Sequence, residues 1–259
     1  MIDMHSHILW NVDDGPKTMV ESMKMFQQAV KEGITNIIAT SHCHHPQHHV
    51  DYNVVNNQMH ILQNELTNNS IPLTLHVGHE VRLSEKIVSL YKAKQIHTLA
   101  NSNYLLLELP SHTIPYYTTS MIQALLVEGI TPIIAHPERN KAIAEKPSRL
   151  EQLIREGALA QITAGSLAGL FGRNIQKLSL DLVKANLVHS YGSDVHNLTK
   201  RPFLFDAGLC YLEKKKQLDA VDTLLENNAR ILENKPFIIH ETEEIEVVKW
   251  WNLYKSFVY

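Results

Sequence analysis

The chain has 259 residues, 44% hydrophobic and 20% charged, with a formal net charge of −3 when histidine is counted neutral. That is ordinary globular composition, with length enough for a large core that needs no staple. It argues against nucleic-acid binding, which favours a basic excess or stripe; the run Lys214 to Lys216 reads as a solvated helix face. Two cysteines, Cys43 and Cys210, make no disulfide framework and fit a reducing cytoplasm. The N-terminus shows no basic stretch followed by an apolar segment, so no signal peptide is expected. No window approaches the roughly 20 apolar residues of a transmembrane helix. The unusual number is 16 histidines, which raises the prior for a metal site because neutral imidazole is the commonest metal ligand.

In chain order, strands are expected at 2–9, 34–40, 73–78, 104–109, 131–136, 160–163 and 187–191. All are short, apolar on both sides and not cleanly alternating, as strands buried on both faces of a parallel sheet are. Helices are expected between them. Met19, Met23, Phe26 and Val30 recur at helical spacing, and Pro147 can open a helix with Leu150, Leu153 and Ile154 inside. Three helices share one ending, Glu32-Gly33-Ile34, Glu128-Gly129-Ile130 and Glu156-Gly157-Ala158, where glycine can take the left-handed conformation and a strand follows at once. This joint marks βα units in series. The expectation is a distorted seven-stranded, TIM-like (β/α) barrel, with an open doubly wound sheet as the alternative. No Gly/Ser/Pro-rich linker divides the chain, so residues 1–259 are read as a single domain. Residues 236–259 form a C-terminal tail ending in aromatic residues, which packs on the barrel, touches a membrane surface or binds a partner.

Chemistry in such barrels sits at the carboxyl ends of the strands. The first strand ends Asp3-Met4-His5-Ser6-His7, placing Asp3, His5 and His7 in one row; two adjacent imidazoles can hold a cation. Asp3 is the least certain ligand of the row and could instead support a liganding histidine through a hydrogen bond. Asp13-Asp14-Gly15 is a turn from which one carboxylate can bend back over the mouth. Later strand ends bring His42, His79-Glu80, Glu108, His136-Pro137-Glu138-Arg139 and Ser193-Asp194-Val195-His196. Taken singly, each could be a satisfied structural group. Together, so many converging acids would repel and resist ionisation unless divalent cations compensated them. Nitrogen and oxygen donors without thiolate suit Mn²⁺, Fe²⁺ or Zn²⁺.

These residues resemble the polymerase and histidinol phosphatase (PHP) superfamily. More closely, the stretches MIDMHSHIL, DDGP, IIATSH, IIAHPERN, QITAGSLAGLFG and GSDVHN are similar to the manganese-dependent protein-tyrosine phosphatases of Gram-positive capsule and exopolysaccharide operons, over residues 1 to about 235. The resemblance implies a PHP-type barrel with up to three metals. His5, His7, Glu80 and Asp194 would hold the first. Glu80 would bridge to a second held by Glu108 and His136. Asp14, His42 and His196 would hold the third. It implies that Arg139 and Arg201 bind phosphate, and that the substrate is phosphotyrosine on the tail of a tyrosine kinase controlling polysaccharide export. Asp194 and His196 remain alternative proton donors to the leaving group. No metal role is carried onto His44, His45, His48 and His49, read as solvent-facing loop residues with some in reach of substrate, and His79 should face away from Glu80. Thiol-based phosphotyrosine hydrolysis needs an arginine six residues after a reactive cysteine; His49 and Lys216 stand there instead. The rivals are a histidinol-phosphate-type small-molecule phosphatase and an inactive metal-binding regulatory module.

Overall fold

The computed structural model describes residues 1–243; the aromatic end of the expected tail lies outside the described residues. The elements in chain order are β1 (Ile2–Ser6), α1 (Met19–Lys31), β2 (Asn36–Ala39), β3 (His42–Cys43), α2 (Tyr52–Asn68), β4 (Thr74–Val77), β5 (Glu80–Arg82), α3 (Ile87–Lys92), β6 (Tyr104–Glu108), α4 (Thr118–Val127), β7 (Thr131–Ala135), α5 (Lys141–Glu145), α6 (Ser148–Arg155), β8 (Leu159–Thr163), α7 (Ala164–Leu167), α8 (Arg173–Lys184), β9 (Ser190–Gly192), α9 (Phe205–Lys214) and α10 (Leu218–Leu232). Every strand pair is parallel. Each expected strand overlaps an observed one, and the β/α alternation holds.

The expected count of seven strands is not what the hydrogen bonds give. They form a three-stranded sheet, β1-β2-β4, and a six-stranded one, β3-β5-β6-β7-β8-β9. The reason is local: the second and third expected strands, 34–40 and 73–78, stop at breaks around 40–41 and 78–79, and pairing resumes beyond each break as β3 with β5. The sheets stay joined at the interruptions, where the amide of Thr40 donates to Ser6 O at 2.8 Å and that of Glu80 to Thr40 O and Ser41 O at 3.2 Å each. At the other edge β1 meets the end of β9 through a parallel bridge between Ser6 and Val195. The amides of Asp194 and His7 donate to His5 O and Val195 O at 2.8 and 2.9 Å. The result is a curled, TIM-like parallel sheet.

Apolar side chains fill both sides of it. Met4, Ile38, Leu106, Ile133 and Leu159 cluster with Leu99 and Ile231, the layered filling expected inside a barrel. A larger cluster joins the opposite faces to the helices. In α1 Ser22, Met25, Phe26 and Ala29 are buried, and Met19, Met23 and Val30 of the expected stripe are partly buried against the same core. Ser22 can stand inside because its hydroxyl donates to Ile8 O at 2.7 Å.

The three Glu-Gly joints are Schellman endings. The glycines have φ of +76°, +74° and +98°. The amides of Ile34, Ile130 and Ala158 reach back to Ala29 O, Leu125 O and Leu153 O at 3.0, 2.9 and 3.1 Å. Gly208 has a different task. It lets α9 press onto α7, where an added Cβ would lie 3.0 Å from Ala164 O and overlap the Tyr191 hydroxyl. Gly208→Ala is therefore expected to cost about 1–3 kcal/mol by overpacking. Gly129→Asn, with open space around it and a residue that tolerates positive φ, should cost a few tenths of that. Urea unfolding of the two variants decides the point; equal losses would contradict the close-packing argument.

Candidate metal centre

The breaks in the sheet aim side chains into one cavity of ≈ 340 Å³, lined among others by Asp14, His42, Glu80, Glu108, His136, Arg139, Asp194 and Arg201. Its hub is the carboxylate of Glu80, 1% exposed. Glu80 Oε2 stands 3.5 Å from His5 Nε2, 3.3 Å from His7 Nε2 and 3.1 Å from His42 Nδ1, and Oε1 is 2.7 Å from His136 Nε2. Asp194 Oδ1 lies 3.3 Å from His5 Nε2 and 3.6 Å from His7 Nε2. Asp14 Oδ1 lies 3.2 Å from His196 Nε2 and 3.5 Å from His42 Nε2. Glu108 Oε2 is 3.9 Å from His42 Nδ1.

Donor atoms gather into three overlapping groups: His5, His7 and Glu80; His42, Glu80 and Glu108; and His7, Asp14, His42 and His196. His7, His42 and Glu80 each belong to two of them. Seven of the nine sequence-expected ligands make up these groups, and His136 and Asp194 join them through Glu80, His5 and His7, although the partition differs from the one the resemblance implies.

Neighbours fix which nitrogen each imidazole presents. His5 Nδ1 pairs with Gln161 Oε1 and His7 Nδ1 with Asp13 Oδ2, both at 3.0 Å. The ring proton is thereby held on Nδ1, and the Nε2 lone pair faces the cavity. Yet His5 Nε2, His7 Nε2, His42 Nδ1 and Glu108 Oε2 are enclosed and have no hydrogen-bond partner. Buried polar atoms ordinarily have one. Four orphaned donors converging on one space are what divalent cations would satisfy, so the residues fit such ions.

The electrostatics agree. Burial opposes charge on His5 and His7, but Asp194 and Glu80 beside the first, and Asp13 and Glu80 beside the second, prevail and raise both pKa values. A proton and a cation compete for the same lone pair, so carboxylates that hold the one would hold the other. Burial also works against the Glu80 anion, yet His5, His42 and His136 keep its pKa well below the ordinary value. Glu108 is pushed up to about 7 by burial and by Glu80, against the pull of Arg82, whose guanidinium meets Glu108 Oε1 at 2.9 Å. Burial and then His7 push His196 down to about 4.

Arg139 and Arg201 converge on Asp194. Both NH2 groups meet Oδ2, that of Arg201 at 2.6 Å. They hold the Asp194 carboxylate well below the usual range although burial raises it. Arg201 NH1 also lies 2.8 Å from His196 Nε2, and Arg139 stacks 4.9 Å over the Phe171 ring. His136 and Asp194 have φ of +34° and +55°. Such conformations cost of order 1–3 kcal/mol each and persist where surrounding structure imposes them.

Several residues refine the sequence reading. Asp3 does not join the cluster: it accepts from the Ser193 amide at 2.9 Å and hydroxyl at 2.5 Å, and burial raises its pKa to about 6. It anchors the segment that presents Asp194. His79 faces elsewhere as expected, with Nδ1 accepting from the His97 amide at 2.9 Å. His45 and His48 are not merely solvent-facing: they line the cavity mouth and stack with His42 at 4.7 and 5.7 Å. Sequence alone gives Gln161, Arg82 and Phe171 no role, and it shows Asp13 only as part of the Asp13-Asp14-Gly15 turn. Only Asp13 and Gln161 carried a signal, as polar residues beside apolar strand sequence. Cys43 is buried with its thiol pushed up to about 12, the opposite of a nucleophile's requirement.

A curled parallel sheet whose mouth gathers imidazoles, carboxylates and paired guanidiniums defines a metal-assisted hydrolase class. The chain belongs to the CpsB/CapC family of capsular polysaccharide synthesis, whose profile matches residues 1–233. It is 42% identical to a Staphylococcus aureus protein named "Putative tyrosine-protein phosphatase CapC", over 98% of this chain and 100% of that one. It is 38% identical to tyrosine-protein phosphatase YwqE of Bacillus subtilis, over 91% and 92%. A crystal structure in a study of YwqE from Bacillus subtilis and CpsB from Streptococcus pneumoniae, described as metal-dependent tyrosine phosphatases, superposes with a TM-score of 0.91 at 36% identity, covering 94% of this chain and 100% of that one. An organophosphorus hydrolase from Deinococcus radiodurans shares the fold alone, with a TM-score of 0.54 at 11% identity over 89% and 92%.

Because Asp13 accepts from the amides of His42 at 3.2 Å and Gly15 at 2.9 Å while orienting His7, Asp13→Ala should weaken divalent-cation affinity about 10–100-fold with the fold intact. Calorimetric titration with Mn²⁺ tests this. Unchanged affinity would reduce Asp13 to a turn residue.

Proposed function

We propose that this chain is a metal-dependent protein-tyrosine phosphatase acting on phosphotyrosine, with the tail of a tyrosine kinase of capsule or exopolysaccharide synthesis as its substrate, and that it works in the cytoplasm as a single PHP-type domain. The observation that carries the reading is the pairing of Arg139 and Arg201 on Asp194 beside the orphaned donors of His5, His7, His42 and Glu108. A metal buffer would have no use for the two guanidiniums. The relatives named tyrosine-protein phosphatase support the substrate class.

In this reading His5, His7, Glu80 and Asp194, then Glu80, Glu108 and His136, then Asp14, His42 and His196 hold up to three divalent ions, manganese by resemblance, with Fe²⁺ or Zn²⁺ compatible with the donors. Bound there, such ions supply a Lewis acid for phosphoryl oxygens and lower the pKa of water towards ~7. The chain does the rest. Arg139 and Arg201 offer planar forks that can leave Asp194 for the equatorial phosphoryl oxygens. Phe171 holds the Arg139 fork in place. Asp194 and His196 are the alternative acids for the leaving oxygen. Asp194 is held ionised by the two guanidiniums and His196 keeps Nδ1 against Asp194 O at 3.0 Å, so either would have to take up a proton before passing it on. The phenolate, pKa near ~10, needs that help less than an alkoxide would. His45 and His48 form the rim past which the tyrosine ring must enter.

No described helix is long and apolar enough to cross a membrane. The kinase is met from solution or from a membrane surface to which the aromatic residues beyond 243 bring the chain.

Hydrolysis of a phosphotyrosine peptide should vanish with EDTA and return with Mn²⁺. Turnover of phosphorylated metabolites but not of the peptide would keep the metal centre and replace the substrate. Glu80→Ala should lose the metal and all turnover; near-normal rates in that metal-free variant would overturn the scheme. Arg139→Ala should retain the metal but lose about 10²–10³-fold in kcat, a loss that Arg139→Lys repairs only partly because a point charge replaces the fork.

A further inference from the structure

The segment that supplies His42 carries a second set of donors on its other side. Successive residues of a strand face opposite ways, so in β3 His42 enters the catalytic cavity while Cys43 turns away from it. Cys43 is fully buried and forms no disulfide. Its Sγ lies 3.8 Å from His49 Nδ1. His44 brings a third donor: one ligand atom from each of Cys43, His44 and His49 lies within 4.8 Å of the others, and the two imidazole rings are 4.5 Å apart.

The neighbours set the nitrogens as they do in the catalytic cluster. His49 Nε2 is 3.2 Å from Asp51 Oδ1. An imidazole donating from Nε2 to a carboxylate keeps its lone pair on Nδ1, the nitrogen that faces Cys43. Besides the thiol, that lone pair meets the His44 amide, at 3.2 Å. His44 Nε2 is shut off from water with no hydrogen-bond partner, the condition that marked the donors of the first site. One thiolate with two imidazoles is a softer set than the nitrogen and oxygen donors of the catalytic cavity, and it favours Zn²⁺ over Mn²⁺.

We propose that Cys43, His44 and His49 form a separate binding site for one Zn²⁺ ion, with the fourth position left to water or to Asp51. Bond lengths of about 2.3 Å to sulfur and 2.0–2.1 Å to nitrogen place tetrahedral S and N ligands about 3.5 Å apart, so the 3.8 Å between Cys43 and His49 closes by a few tenths of an ångström. The Cys43 thiol proton leaves to solvent as the sulfur–zinc bond forms, and the His44 amide gives up its contact with His49. The ligands bracket the loop that sets His45 and His48 at the cavity mouth. An ion clipping residues 43, 44 and 49 would hold that rim in one arrangement, so the site would tie zinc supply to substrate entry.

The test uses a chromophoric stand-in for zinc. Protein saturated with Mn²⁺ is titrated with Co²⁺. One equivalent should produce thiolate-to-cobalt charge-transfer absorption in the near ultraviolet, and one equivalent of Zn²⁺ should abolish it. None of the proposed catalytic ligands is a cysteine, so the band cannot arise in the catalytic cavity. It should persist in Cys210→Ser and vanish in Cys43→Ser. His49→Ala, which alters a ring 44% exposed and so spares the core, should weaken Co²⁺ binding at least about tenfold. Absence of the band in the wild-type protein, its survival in Cys43→Ser, or unchanged affinity in His49→Ala would overturn the proposal. The phosphotyrosine assay reads the other site, so either reading can fail while the other stands.

Discussion

Everything around the cavity depends on keeping one carboxylate, Glu80, charged in a place closed to water. A lone buried anion is expensive. Glu80 survives because imidazoles of His5, His7, His42 and His136 surround it. Those imidazoles would repel one another if all were protonated, so the assembly is balanced only by sharing a few positive charges among many lone pairs. Divalent cations do this with the fewest compromises, each bringing two charges to a point that several donors already face. The rise of Glu108 to about 7 is the other side of the same balance: burial first, and then the charge of Glu80, drive a second carboxylate toward its neutral form.

A donor cluster of this kind holds its shape only if the donors cannot turn to one another. The chain achieves that from behind. Gln161 and Asp13 hold the Nδ1 atoms of His5 and His7, Asp3 secures Ser193 next to Asp194, and Phe171 flanks Arg139. His136 and Asp194 accept positive φ, a strain that the neighbouring ladder must offset. Such supports act through geometry, and their loss would show as misplaced ligands before it showed as unfolding.

The fold supplies the frame for these supports through its interruptions. An unbroken strand would carry its alternation straight through residues 40–43 and 78–82. The breaks let β3 and β5 resume pairing beyond them, with His42 opposite Glu80 in the register. The same departure from regularity that splits the sheet in two therefore makes the mouth of the barrel.

The sequence by itself determined the order of β and α units, the glycine-ended helices and which ligand-type residues stand at the strand ends, because these depend on local chemistry: apolar runs, left-handed glycine and polar side chains where the strands stop. The periodicity of α1 showed the stripe of Met19, Met23, Phe26 and Val30 that packs on the core but not the buried Ser22, since a serine with a satisfied hydroxyl looks polar on paper. What only the tertiary structure decided was how donors from distant strands share the space. His7 and His42 each serve two groups, Asp3 withdraws to Ser193 while Asp13 comes in to orient His7, and the strands break where they do. Those outcomes rest on contacts between residues far apart in the chain, such as His5 with Asp194 and with Gln161, and no local pattern encodes a distance across a barrel.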